Sequence, residues 1–132
     1  ESKREILADK LVSFPVTLAS HVRHRDIWDI QWLRQGRVGI APQLVHAKIG
    51  DYGIEDYAGA LDTAIERAEE VVQAQDFRDE MVRFLPKDRL ARTFDKPRFI
   101  EFMGARLRET LEEAREALDL APRAGASDGF AL

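Results

Sequence analysis

Residues 55–74 read EDYAGALDTAIERAEEVVQA, and this stretch decides the fold. Leu61, Ala64, Ile65, Ala68, Val71 and Val72 recur at i, i+3, i+4, i+7, i+10 and i+11, which places one apolar stripe along an α-helix. A second stripe follows in the run that begins at Pro97 and extends to about Leu120. It consists of Phe99, Met103, Leu107, Leu111, Ala114 and Leu118, with Glu–Arg pairs such as Glu112–Arg115 on the outer face. Two long amphipathic helices need each other and further helices to bury their stripes. The intervening segments supply them. Ser2 is an N-cap with Glu5 as its capping-box partner, opening a helical run over residues 4–14. Pro15 is expected to end that run near Ser13 or Phe14. Residues 25–35 form the next helix, stopping at Gly36 as a C′ glycine. Shorter helices are expected over 41–49, with Pro42 in its first turn, over 77–85 before Pro86, and over 88–94. No strand signal of useful length is present. The expectation is an all-α bundle of six to seven helices over residues 1–120, followed by a flexible tail at 121–132 that carries Pro122, Gly125 and Gly129.

Composition bounds the function. The 132 residues form one domain, 45% hydrophobic and 33% charged, with a net charge of −4. Residues 1–40 carry seven Lys/Arg against five Asp/Glu, a net of +2, and the remainder carries thirteen against nineteen, a net of −6. Cysteine is absent, which excludes disulfides, thiolate metal sites and cysteine nucleophiles. No apolar run approaches the roughly 18 residues of a membrane span, and no signal segment opens the chain. It reads as soluble and cytoplasmic.

Three charges break the pattern. Lys10 falls on the apolar face of its helix with Ile6, Leu7 and Phe14. Asp26 and Asp29 project between Ile30, Leu33 and Trp32 on the next. Buried charge costs several kcal/mol unless it is paired or used. One reading is structural, with snorkelling side chains or an ion pair joining the two helices. The other is a site in which Lys10 binds phosphate as a point charge.

The wording around these residues resembles a known family. Ile6-Leu7-Ala8-Asp9-Lys10-Leu11, followed by Arg25-Asp26-Ile27-Trp28-Asp29-Ile30, is similar to the third and fourth motifs of the AbiEii/MenT-like nucleotidyltransferase toxins, of the DNA polymerase β-like superfamily. Those motifs are an I-x-x-x-K-L helix and an R-D-x-x-D-L helix start. A helical bundle, an aromatic–Arg segment near 77–85 ending in Leu-Pro, and a long last helix extend the similarity over most of residues 3–120. The resemblance implies that Lys10 contacts the nucleotide and Asp26 is the essential acid, with Asp29 and Arg25 supporting. It implies a nucleoside triphosphate donor, magnesium, an RNA acceptor such as tRNA, and a cognate antitoxin, in toxin–antitoxin or phage-defence systems. The family's Gly-Ser turn and Asp-x-Asp pair, which hold its magnesium ions, are missing from this sequence. With the abrupt start at Glu1, the chain reads as the carboxy-terminal helical part of such an enzyme. It is expected to bind no metal and to be inactive alone. The alternative is a non-enzymatic helical interaction or dimerisation module.

Three further features carry less. Residues 83–98 hold Arg83, Lys87, Arg89, Arg92, Lys96 and Arg98 against Asp88 and Asp95, a net of +4. Within it, Arg83, Lys87, Arg89 and Arg92 are candidate RNA contacts, against a solvated inter-helix segment. His21 and His24 have a metal-site spacing but no third ligand, which favours a surface role. Trp28 and Trp32, one turn apart, are expected to anchor their helix in the core, with base stacking as the alternative.

Overall fold

The computed structural model describes residues 1–120. Seven helices follow one another: α1 Lys3–Thr17, α2 His24–Gln35, α3 Pro42–Asp51, α4 Tyr57–Gln73, α5 Gln75–Phe84, α6 Lys87–Arg92 and α7 Phe99–Ala117. There is no strand among the described residues. The tail expected at 121–132 lies outside them.

The two stripes meet. Leu61, Ala64 and Ala68 of α4 and Leu111 and Ala114 of α7 are sealed from solvent, and α4 against α7 is the most extensive helix pair. The helices are in close contact at Gly104, where a Cβ would lie 3.4 Å from the Glu69 Cα. Arg108 bonds Glu69 at 3.2 Å across the same seam. Arg115, expected to pair along its own helix with Glu112, reaches across to Asp62 with two bonds of 2.6 and 3.1 Å. A fork-to-fork pair with a carboxylate on the facing helix is a stronger match than an i, i+3 contact. Helix α1 packs on the other side of α4 and touches α2 and α3 as well, which makes it the centre of the bundle.

The start of α1 is as expected. Ser2 Oγ accepts from the Glu5 N–H at 3.1 Å, and the Glu5 carboxylate accepts from the Ser2 N–H at 3.4 Å. Its end is not. Pro15 lies inside α1, which continues to Thr17. Proline has no N–H, so the carbonyl of Leu11, four residues back, loses its helical donor. The Tyr57 hydroxyl, at the first residue of α4, takes that place and donates to Leu11 O at 2.6 Å in a buried setting. A tertiary hydrogen bond thus replaces the one proline removes.

The end of α2 also differs. Gly36 keeps an ordinary negative φ of −79°, and Arg37 adopts the left-handed conformation at 64°. Val38 N–H bonds Leu33 O and Arg37 N–H bonds Arg34 O, the paired pattern of a Schellman turn, with arginine where glycine is usual.

Burial pushes the Tyr57 hydroxyl far above its ordinary pKa of 10.0. Two outcomes are expected. Tyr57→Phe should cost about 1–3 kcal/mol by leaving Leu11 O unpaired, and Pro15→Ala, which restores an N–H, should shrink that cost in a double-mutant cycle followed by urea unfolding. The unfolded chain loses the tyrosine proton above about pH 10 while the folded chain keeps it. Tyr57 should therefore contribute a fall in stability as pH rises past that point, absent from Tyr57→Phe in the same titration.

Candidate functional site

The three anomalous charges meet. Lys10 Nζ, two turns into α1, lies 3.0 Å from Asp26 Oδ1 and 3.4 Å from Asp29 Oδ2 on α2. Asp26 is 1% exposed and sits in the first turn of α2, where the helix dipole favours an anion. Its other oxygen accepts from Ser13 Oγ and from Arg23 Nε, both at 2.7 Å. Four donors and acceptors are thus tied together: an ammonium, a hydroxyl and a guanidinium share one buried carboxylate. Burial draws the Lys10 pKa down. The hydrogen bond and charge of Asp26, helped by Asp29, outweigh it and hold the pKa above the ordinary 10.5. Lys10 is therefore cationic at neutral pH, and its contribution to stability falls as pH rises through that raised value.

Not all the expected site residues join this cluster. Arg25 turns away, stacking its guanidinium 4.4 Å from the Phe84 ring centroid and meeting Glu80 at 3.7 Å. Arg23, in the N-cap position of α2, supplies the guanidinium to Asp26 instead. The physical reason is the turn of the helix: Asp26 faces α1, and residue 25 cannot share that direction. The signal for Arg23 was its i, i+3 spacing from Asp26. Ser13 had a comparable signal, one turn beyond Lys10 on the same helix.

The basic segment is partly neutralised. Arg92 pairs with Asp88 at 3.0 Å, Arg83 with Glu80 at 3.5 Å, and Asp95 with Arg78 at 3.3 Å. Lys87 and Arg89 are exposed with no carboxylate within 4.0 Å among the described residues. His24 lies beside the Phe77 ring, with centroids 6.2 Å apart, while His21 is exposed.

The tryptophans divide. Trp28 is half-buried and stacks on Phe94 at 6.2 Å, as a core anchor would. Trp32 does not anchor the core, being 52% exposed. It stands one turn further along a face that α6 and α7 approach without covering. The result is a groove of about 390 Å³ lined by both tryptophans, by Phe99 and Phe102, and by Arg89.

Magnesium does not fit the cluster at Asp26. The carboxylate is held by two cationic groups and a hydroxyl, the donor set of an anion locked in place rather than of a metal ligand. Among the described residues, no group of three His, Asp or Glu side chains is placed to hold a metal ion. No helix among them is long and apolar enough to cross a membrane.

The fold and site define an all-α bundle with a lysine–aspartate cluster at the junction of its first two helices. Beyond that the comparisons are silent: no protein-family model, no curated protein and no solved structure matches the chain.

Because Asp26 serves three donors, Asp26→Ala should cost about 3–5 kcal/mol. Asp29, with a side chain 37% exposed, should cost no more than about 1 kcal/mol on the same change. Guanidinium unfolding of the two variants measures the contrast.

Proposed function

We propose that this chain is the helical portion of an AbiEii-like nucleotidyltransferase, a toxin that transfers a nucleotide from a nucleoside triphosphate to RNA, with tRNA as the acceptor class. The observation that supports the reading is the state of Lys10. Its ammonium is cationic, side chain 21% exposed, and braced by Asp26 and Asp29 rather than free to wander. A braced cation at the edge of a bundle is suited to neutralising triphosphate charge, because transfer of this kind depends on positioning and electrostatics. Asp26 is then a positioning residue that acts through Lys10. The magnesium carboxylates would come from outside residues 1–120, and a cognate antitoxin and a cytoplasmic setting follow from the same reading.

A second reading has its own observation. Asp26 is fully engaged by Lys10, Ser13 and Arg23, which is what a structural clasp between α1 and α2 requires. The chain would then be a helical interaction module.

One series separates the two. The reading frame containing this chain, with whatever precedes Glu1 in it, is assayed for magnesium-dependent labelling of tRNA from radiolabelled triphosphates. The 132-residue chain alone is expected to give none. Where the frame supplies a Gly-Ser turn and an Asp-x-Asp pair, labelling is expected, and Lys10→Met should lower it on the order of 10²–10³-fold with folding intact. Labelling that survives in a folded Lys10→Met/Asp26→Leu protein would sink the first reading, since an apolar pair can replace a clasp but not a phosphate ligand.

A further inference from the structure

The groove between α2, α6 and α7 has a feature that packing does not explain. Gln31 forms part of its floor and is 91% buried, being 9% exposed. Among the described residues its carboxamide has no hydrogen-bond partner, yet its polar atoms are not sealed off and open into the groove. The carboxamide is thus open to solvent, so a ligand can pair with it without first breaking a protein hydrogen bond. Here it is held ready at the bottom of an aromatic cleft.

The walls have a consistent chemistry. Trp28, Gln31 and Trp32 share one face of α2 at i, i+3 and i+4. Phe99 and Phe102 form the opposite wall, and Phe102 is 49% exposed. Exposed flat rings on both sides of a slot are stacking platforms. Arg89 and Arg92 are the charged residues of the lining, and since Arg92 is paired with Asp88, Arg89 is the cation it offers. Lys3 lies 5.4 Å from the Trp32 ring centroid at the adjoining edge.

We infer that this groove binds an unpaired adenine nucleotide of a single-stranded RNA. The base stacks against Trp32 and the phenylalanines. Gln31 makes a bidentate contact with its N6 and N7 edge, the pairing that a carboxamide's adjacent donor and acceptor fit. Arg89 meets the adjoining phosphate. The volume, about 390 Å³, accommodates one nucleotide rather than a duplex. An acidic amphipathic helix would suit the charge and the rings. A carboxylate from it, however, can only accept and so meets the Gln31 amide nitrogen alone, whereas a base edge with an adjacent donor and acceptor meets both polar atoms of the carboxamide. The groove's neighbour along α2 is lined by Trp28, Trp32, Arg89 and Asp29, and Asp29 is the second partner of Lys10. That the bound strand is the acceptor of nucleotidyl transfer rests on the function proposed above; the binding itself does not.

The test reads binding without catalysis, so its failure and the failure of the Lys10 reading are distinguishable. Trp28 and Trp32 are the chain's two tryptophans, and both line the groove, so intrinsic fluorescence reports on it directly. The chain is titrated with heptameric oligo(A), heptameric oligo(U) and an RNA duplex at fixed salt, with anisotropy of labelled oligo(A) as a second readout. Quenching by oligo(A), weaker quenching by oligo(U) and none by the duplex are expected. Trp32→Ala should weaken oligo(A) binding on the order of tenfold or more. Gln31→Leu, which keeps the volume, should erase the preference for oligo(A) while binding persists. Arg89→Gln, at an exposed position, should reduce the slope of log affinity against log salt by about 1. Equal affinity for both oligonucleotides, an unchanged affinity in folded Trp32→Ala, or saturable binding of an acidic helical peptide with no RNA binding would each overturn the assignment.

Discussion

The bundle turns on one buried carboxylate. A side-chain carboxyl at 1% exposure is costly to bury without hydrogen-bond partners, and Asp26 is buried to that degree. It has three, from Lys10 and Ser13 on α1 and from Arg23 at the entry to α2. Apolar packing alone would leave α2 several orientations against α1, because Ile27, Ile30 and Leu33 can slide along a hydrophobic surface. A carboxylate that must meet three donors at 2.7–3.0 Å admits far fewer. Fixing the roll of α2 fixes its opposite face too. That is the face carrying Trp28, Gln31 and Trp32, so the clasp on one side of the helix sets the groove on the other.

A second constraint holds the remaining half. The α4–α7 pair is built on small residues at the seam and on charged pairs at its edges, and it is joined to α1 through Tyr57. The join uses a defect: Tyr57 donates to the one carbonyl that Pro15 leaves without its helical N–H. The two halves are therefore coupled through a defect in α1. A helix without that proline would be locally more regular, and Tyr57 would have to share the Leu11 carbonyl with a backbone N–H.

Much of this was legible in the sequence, for a definable reason. The stripes of α4 and α7 and the Ser2–Glu5 box are local periodic or short-range patterns, and each is found as read. The proximity of Lys10 to Asp26 and Asp29 could also be read, because misplaced charges on adjacent helices have few ways to be satisfied. What was not legible depends on partners distant in sequence. Pro15 reads as a stop until Tyr57, 42 positions later by their numbering, is known to replace its hydrogen bond. Gly36 reads as the left-handed residue, yet α2 still ends at Gln35 with Gly36 as its cap, and Arg37 takes that role. Arg25 reads as a site residue because it adjoins Asp26 in a motif, but adjacent helical residues diverge in direction, and Arg23 is the one that faces the carboxylate. Trp32 reads as core because tryptophan buries so much area, and only the placement of α6 and α7 leaves it uncovered.

The uncovered tryptophan and the unpartnered glutamine have a common origin. Had α6 packed fully against α2, its side chains would have covered Trp32 and supplied Gln31 with a partner. Instead α6 is a single short helix of six residues, with no buried residue of its own. It ends at Arg92, and the chain then turns into α7 through Arg98, a left-handed N-cap. A short, polar helix bridges the gap without filling it. Trp32 stays uncovered and the Gln31 carboxamide reaches the groove without a protein partner, so the short α6 leaves an opening there. The same segment places Arg89 over that opening, bringing the chain's cationic stretch and its aromatic face together.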